Sequence, residues 1–376
     1  MKAAQLKGAL FEYLVRRLLI NCGFYSVQPD NLYTFERNPL FFINGRGAAH
    51  DADVLMEPPI QMPFGYPARL LFECKAYDSK AGLPIIRNAL GLKYDINEFE
   101  IVTKKSLLSR QNNNRASYAI ENRQRHVYQV GVASAEGFSK NAIGFAANNK
   151  IPLLSLSWML DRQAMFLYRS IDQPLVDSMD QTMTSNLYDY FKDRNPGAEA
   201  KHIEAVGLLE EYRQIGYIIE SLNRNIDSTY IGLLESGDLI FLFERETKSA
   251  SSLYSFGSNS RLSAQLHYSR DNPEIWYLAI NSNSSGARNL ENENNPEFMF
   301  HVPPRIMGMW REFALDRSKA IQIKEEFFST IFIFKKTRTS DIPFFVVNLD
   351  KHWLDEVRMA ETDFSSAAEN EDESDD

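Results

Sequence analysis

The sequence predicts an α/β protein in two parts. A first domain over residues 1–165 has a central mixed sheet flanked by helices, and a separate strand-rich α+β domain covers 201–359. Three observations predict it. The first half holds an amphipathic helix, strand-like runs and a strand–helix–strand alternation; a polar stretch ending in Asn-Pro-Gly interrupts the middle; seven apolar or alternating runs crowd residues 230–349. With 44% hydrophobic and 24% charged residues over 376 positions, the composition is globular and long enough for two ordinary domains.

The elements follow in order. Leu6, Leu10, Leu14 and Leu18, flanked by Phe11, Val15 and Leu19, recur at three- and four-residue spacing, which predicts a helix carrying Glu12 and ending near Asn21-Cys22-Gly23. LYTF (32–35) and LFFI (40–43) read as short strands, followed by a Gly-rich turn and a strand DADVLM (51–56). Pro58, Pro59, Pro63 and Pro67 exclude a helix and predict a wide hairpin loop, returning as RLLFECKA (69–76), whose apolar start suits an interior strand. A helix is expected from Leu83 to Asn97, a buried strand at 127–134, a helix at 138–149 with Ser139 as its N-cap, and a strand at 151–157. Residues 166–200 read as a linker with room for one short helix, and 201–223 as a helix. The strands of the second domain are expected at 230–236, 238–245, 262–269, 274–281, 298–302, 330–335 and 343–349. The acidic end, 360–376, has the composition of a disordered tail.

The formal charge of -9 is unevenly spread: residues 1–160 carry +6, 161–359 carry -7, and the tail carries -8. Within the basic half, Lys104, Lys105, Arg110, Arg115, Arg123 and Arg125 stand against one acid, Glu121, in a stretch that reads either as a phosphate-neutralising loop or as a solvated polar one. No apolar run approaches the roughly 18 residues of a membrane span, so neither insertion nor secretion is expected. Two cysteines, Cys22 and Cys74, make neither a disulfide framework nor a paired zinc site, and the expected compartment is the cytoplasm. The phosphate-binding pattern G-x-x-x-x-G-K-[ST] is absent, so an ATPase or helicase would have to be a partner.

Glu73 and Lys75 alternate about Cys74 and share one face of their strand, with Asp53 on the neighbouring strand and Glu12 on the first helix. Charges on apolar strands are costly unless paired or bound to a metal, and two carboxylates suit a hard divalent ion. An isolated ion pair between Glu73 and Lys75 is the plain alternative.

This arrangement resembles the PD-(D/E)XK nuclease superfamily: Asp53-Val54-Leu55, a hairpin loop and Phe72-Glu73-Cys74-Lys75 follow a helix bearing Glu12 and precede strand–helix–strand. VGVASAEGFSKNAIGFAANNKIPLLSLS is similar to the end of an Mrr-type catalytic domain, and GRGAAHDADVL resembles the Gly…His-x-x-Asp entry of relatives in the superfamily. The likeness spans residues 5–160. It implies a restriction-endonuclease-like fold and a Mg²⁺-dependent endonuclease, Mn²⁺ substituting, with Asp53, Glu73 and the Cys74 backbone carbonyl as metal ligands. It further implies that Lys75 orients or deprotonates the attacking water and that Glu12 reaches the metal directly or through water. Ala52 stands where the name of the family has proline, and Asp51 is a secondary candidate ligand. Lys80, Arg87 and Lys93 are candidate phosphate contacts, and His50 either approaches the site or caps a turn. The expected partner is nucleic acid, DNA ahead of RNA. A homodimer or higher oligomer and an ATPase, helicase or sensor partner complete the picture, in restriction or anti-phage defence. The alternatives are a catalytically idle binding scaffold and a structure-specific nickase or junction resolvase.

Overall fold

The computed structural model describes residues 1–37, 40–59, 61, 66–99, 126–195, 198–227, 229–236, 238–245, 253, 261–269, 271–281, 296–335 and 344–359. The chain forms two compact units, Met1–Ile226 and Asp227–Asp376. The boundary therefore does not fall in the polar stretch, and the single helix expected at 201–223 is divided into Ala198–Lys201, Ile203–Glu211 and Arg213–Asp227.

In the first unit, α1 (Ala3–Asn21) buries Leu6, Leu10, Leu14 and Leu18 as their spacing predicts. Gly23 ends it at φ 96, a backbone geometry that favours glycine. β1 (Tyr25–Ser26) comes next, then β2 (Thr34–Arg37), β3 (Leu40–Asn44) and β4 (Ala49–Asp51), which form their own three-stranded antiparallel sheet. β5 (Val54–Glu57), β6 (Ala68–Lys75), β7 (Val127–Ser134) and β8 (Leu153–Ser155) join β1 in a five-stranded sheet ordered β1-β5-β6-β7-β8. β5 is antiparallel to β1 and β6, and β6, β7 and β8 are mutually parallel. α2 (Leu83–Asn97) and α3 (Lys140–Asn148) cover one face, setting Ile86, Ala89, Ala142 and Ala146 against Leu55, Leu71, Val130 and Val132. Ser139 caps α3 as expected, accepting from Ala142 N at 3.3 Å.

Two expectations are corrected here. The run 51–56 is not one strand: Ala52 donates its N–H to Phe41 of β3, whereas Val54 pairs with Phe72 of β6. The backbone changes sheets within two residues, so Asp53 stands in a bend between strands. Nor is 166–200 a linker. It forms α4 (Arg162–Arg169), α5 (Gln173–Ser178) and α6 (Gln181–Lys192), each begun by an Asp N-cap, Asp161, Asp172 and Asp180. α6 buries Thr184, Leu187, Tyr190 and Phe191 at helical spacing, with the Tyr190 and Tyr13 hydroxyls 2.9 Å apart against α1. Its polar composition belongs to the outward face.

All seven strands expected in the second unit are present: β9 (Thr229–Leu234), β10 (Leu239–Glu244), β11 (Arg261–Tyr268), β12 (Ile275–Asn281), β13 (Glu297–His301), β14 (Thr330–Phe334) and β15 (Phe344–Leu349). They close into a barrel ordered β10-β13-β12-β11-β15-β14-β9, in which each strand pairs with two neighbours. Two helices, Pro304–Glu312 and Arg317–Phe328, add Trp310 and Phe328 to the core, with ring centroids 5.5 and 5.4 Å from that of Trp276. Residues 101–125, most of the 282–297 stretch and the tail 360–376 lie outside the described residues. Among the described residues no helix is long and apolar enough to cross a membrane.

Candidate active site

β6 carries Glu73 and Lys75 on one face, and the Lys75 ammonium donates to Glu73 Oε2 at 2.9 Å. β5 begins only at Val54, so β6 has no ladder partner on that side beyond Phe72. Asp53 takes the vacant position: its Oδ2 accepts from the Cys74 N–H at 2.7 Å. In a strand the N–H and C=O of one residue share an edge, so the Cys74 carbonyl faces the same side as Asp53. The predicted trio is thereby brought together by a bend and a strand end, not by two paired strands.

Glu12, buried on α1, accepts from Lys192 Nζ with both carboxylate oxygens, at 2.7 and 2.6 Å. Arg194 Nη2 donates to the carbonyl of Asp53 at 3.0 Å and also to that of Ala52. Lys192 and Arg194 were not foreseen from the sequence. The signal that could have found them is the Leu187, Tyr190 and Phe191 spacing, which marks α6 as a packed helix. Ser134 also stands beside the site. It lies in register with Lys75 across β6 and β7, is fully buried, and its Oγ has no hydrogen-bond partner among the described residues.

The acids strain against one another. Burial, then the neighbouring Asp53 charge, pushes Glu12 up to about 7 against the pull of Lys192 and Arg194. Burial and Asp53 likewise raise Glu73 and Asp51. Burial lowers Lys75, but Glu73 and Asp53 more than offset it and its pKa is raised; Lys192 is raised in the same way, chiefly by Glu12. Burial and like charge disfavour the bare carboxylates, and Lys75, Lys192 and Arg194 offset that in part.

Among the described residues no group of three or more His, Cys, Asp or Glu side chains converges on a metal position. The donor chemistry nevertheless fits Mg²⁺, which keeps several waters and takes only one or two carboxylates alongside substrate phosphate. Asp53 and Glu73 each use one oxygen in the contacts above, and the Cys74 carbonyl adds a third hard donor.

Other candidates fall elsewhere. His50 pairs with Asp95 at 2.6 Å, Arg87 lies over the Phe145 ring at 5.7 Å, and Lys93 is half-buried, its pKa lowered by burial and by Lys150. Lys80 is exposed, and Lys104, Lys105, Arg110, Arg115, Arg123 and Arg125 lie outside the described residues.

No protein-family model and no curated protein matches the chain. Among solved structures it is similar to the crystal structure of a protein of unknown function, AF1548, at 16% identity and a TM-score of 0.29, over 55% of this chain and 98% of that one. A likeness at that level assigns neither fold nor activity.

Proposed function

We propose that the chain is a metal-dependent nuclease of the PD-(D/E)XK type, with a restriction-endonuclease-like core in the Met1–Ile226 unit and DNA as the favoured substrate. The observation that carries this reading is the Asp53 carboxylate on the Cys74 N–H, which joins the bend to the Glu73-Cys74-Lys75 strand end. Asp53, Glu73 and the Cys74 carbonyl would hold Mg²⁺ or Mn²⁺, which when bound supplies a water of lowered pKa and neutralises phosphoryl charge. Lys75, an ammonium donating to Glu73, would orient or deprotonate the attacking water and steady the charge on the phosphate. Glu12 accepts from the buried Lys192, and Asp51 adds a further carboxylate whose charge is felt by Asp53 and Glu73. The basic stretch 101–125 would neutralise phosphates without reading sequence.

A single such site cuts one strand, so double-strand cleavage calls for a second copy, a homodimer being the commonest solution, or for a partner protein such as an ATPase, helicase or sensor. A role in restriction or anti-phage defence fits this chemistry, and the barrel unit would serve recognition or assembly. The test is incubation of the purified chain with supercoiled, linear and single-stranded DNA in Mg²⁺, Mn²⁺ or EDTA. Cleavage in the two metals and none in EDTA is expected; cleavage that persists in EDTA rejects the metal mechanism.

A further inference from the structure

The end of α6 and the residues after it touch the candidate site from outside the motif, and each of them is itself anchored. Lys192 binds Glu12 through both carboxylate oxygens. Arg16 of α1 donates Nη2 to the carbonyls of Phe191 and Asp193, at 2.6 and 3.0 Å. Asp193 accepts from Asn195 N and Nδ2, Lys201 Nζ and His202 Nε2, all within 2.8–2.9 Å. From this fixed segment Arg194 reaches back, its guanidinium 4.7 Å over the Phe41 ring of β3 and its Nη2 on the carbonyls of Ala52 and Asp53.

Those two carbonyls belong to the bend where the chain leaves one sheet for the other. A planar guanidinium, stacked on one side and donating in its own plane, holds such a pair more rigidly than a point charge on a flexible stem. Its Nε is buried with no partner among the described residues.

We propose that Arg194 and Lys192 are positioning residues of the nuclease site, Arg194 holding the bend that aims Asp53 and Lys192 holding Glu12. The effect on turnover rests on the nuclease reading; the effect on the bend does not. A brace that served folding alone would change the melting temperature and leave the site's properties in the folded chain untouched.

The experiment uses the full chain with Arg194→Ala, Arg194→Lys and Lys192→Met. It measures Mn²⁺ affinity by calorimetry, kcat and KM on DNA, and hydrogen exchange of the Cys74 amide. Arg194→Ala is expected to weaken Mn²⁺ binding and kcat by about 10–100-fold, as loss of an outer-shell partner does, with KM for DNA little changed. The Cys74 amide should exchange about tenfold faster while the β6–β7 ladder keeps its protection. Sub-denaturing guanidinium should restore part of each property, entering by the cavity of about 550 Å³ that Lys192 and Arg194 help to line. Lys192→Met should lower kcat while leaving Cys74 protection unchanged, since it touches Glu12 and not the bend. If Arg194→Ala fails to fold, Arg194→Lys keeps the charge and stem but loses the fork, and the same direction is expected. A folded Arg194→Ala or Arg194→Lys with wild-type Mn²⁺ affinity and wild-type Cys74 protection overturns the proposal. A wild-type chain that neither binds Mn²⁺ nor cuts DNA rejects the nuclease reading instead, and Cys74 exchange then still decides whether Arg194 holds the bend.

Discussion

At the residue scale, Asp53 and Lys75 have separable roles. Lys75 is an ammonium paired with one ligand candidate, whereas Asp53 is itself a ligand candidate that also satisfies a backbone donor. Lys75→Ala is therefore expected to cut turnover by about 10²–10³-fold while Mn²⁺ still binds, and Asp53→Ala to lose both, as read by cleavage rates beside calorimetry. Full activity in Asp53→Ala would move the ligand to Asp51. Glu12 adds a pH signature. Its folded-state pKa of about 7 lies above the ordinary 4.5, so between those values the native chain binds more protons than the unfolded one and stability falls as pH rises. The contribution is complete below about pH 4.5 and is lost as pH passes about 7. Glu12→Gln cannot titrate, so in metal-free buffer its melting temperature should gain on that of the wild type between pH 5 and 8. The gain corresponds to about 3 kcal/mol at most.

At the element scale, α6 decides whether 166–200 is a connection or part of the core. Leu187 is fully buried on the face that meets α1. Leu187→Ala should cost about 2–5 kcal/mol in urea unfolding, the loss typical of a buried leucine. A value within about 0.5 kcal/mol, usual for surface positions, would return the segment to a solvated linker. The same helix explains why the site is incomplete without it: the motif residues lie on α1, β6 and one bend, while their cationic partners Lys192 and Arg194 arrive more than a hundred residues later in the chain.

At the scale of the whole molecule, every side chain of the candidate site belongs to Met1–Ile226. A fragment of residues 1–226 should fold and retain Mn²⁺ binding, whereas 1–165 lacks α6 and should fail to give a cooperative thermal transition, since α1 then exposes the face that buries Tyr13 and Arg16. The charge asymmetry predicts a second property of the full chain. Replacing Lys104, Lys105, Arg110 and Arg115 by Ala should weaken DNA binding alike for unrelated sequences and flatten its salt dependence. An unchanged slope would assign these side chains to solvation.

Local periodicity alone made much of this legible. The buried stripe of α1, the interior strand β6 and all seven strands of the barrel could be read because 3.6- and 2-residue spacings are properties of short windows. The pairing of Glu73 with Lys75 was legible for the same reason, since residues two apart on a strand share a face. What only the tertiary structure decided depends on partners distant in sequence. The run 51–56 breaks at Asp53 because β3 and β6 compete for its backbone; the seven strands close because β9 pairs with β14; and the polar stretch 166–200 folds because α1 offers α6 an apolar face. Lys192 reaches Glu12 across 180 residues for that reason, and no window of sequence contains both ends of such a contact.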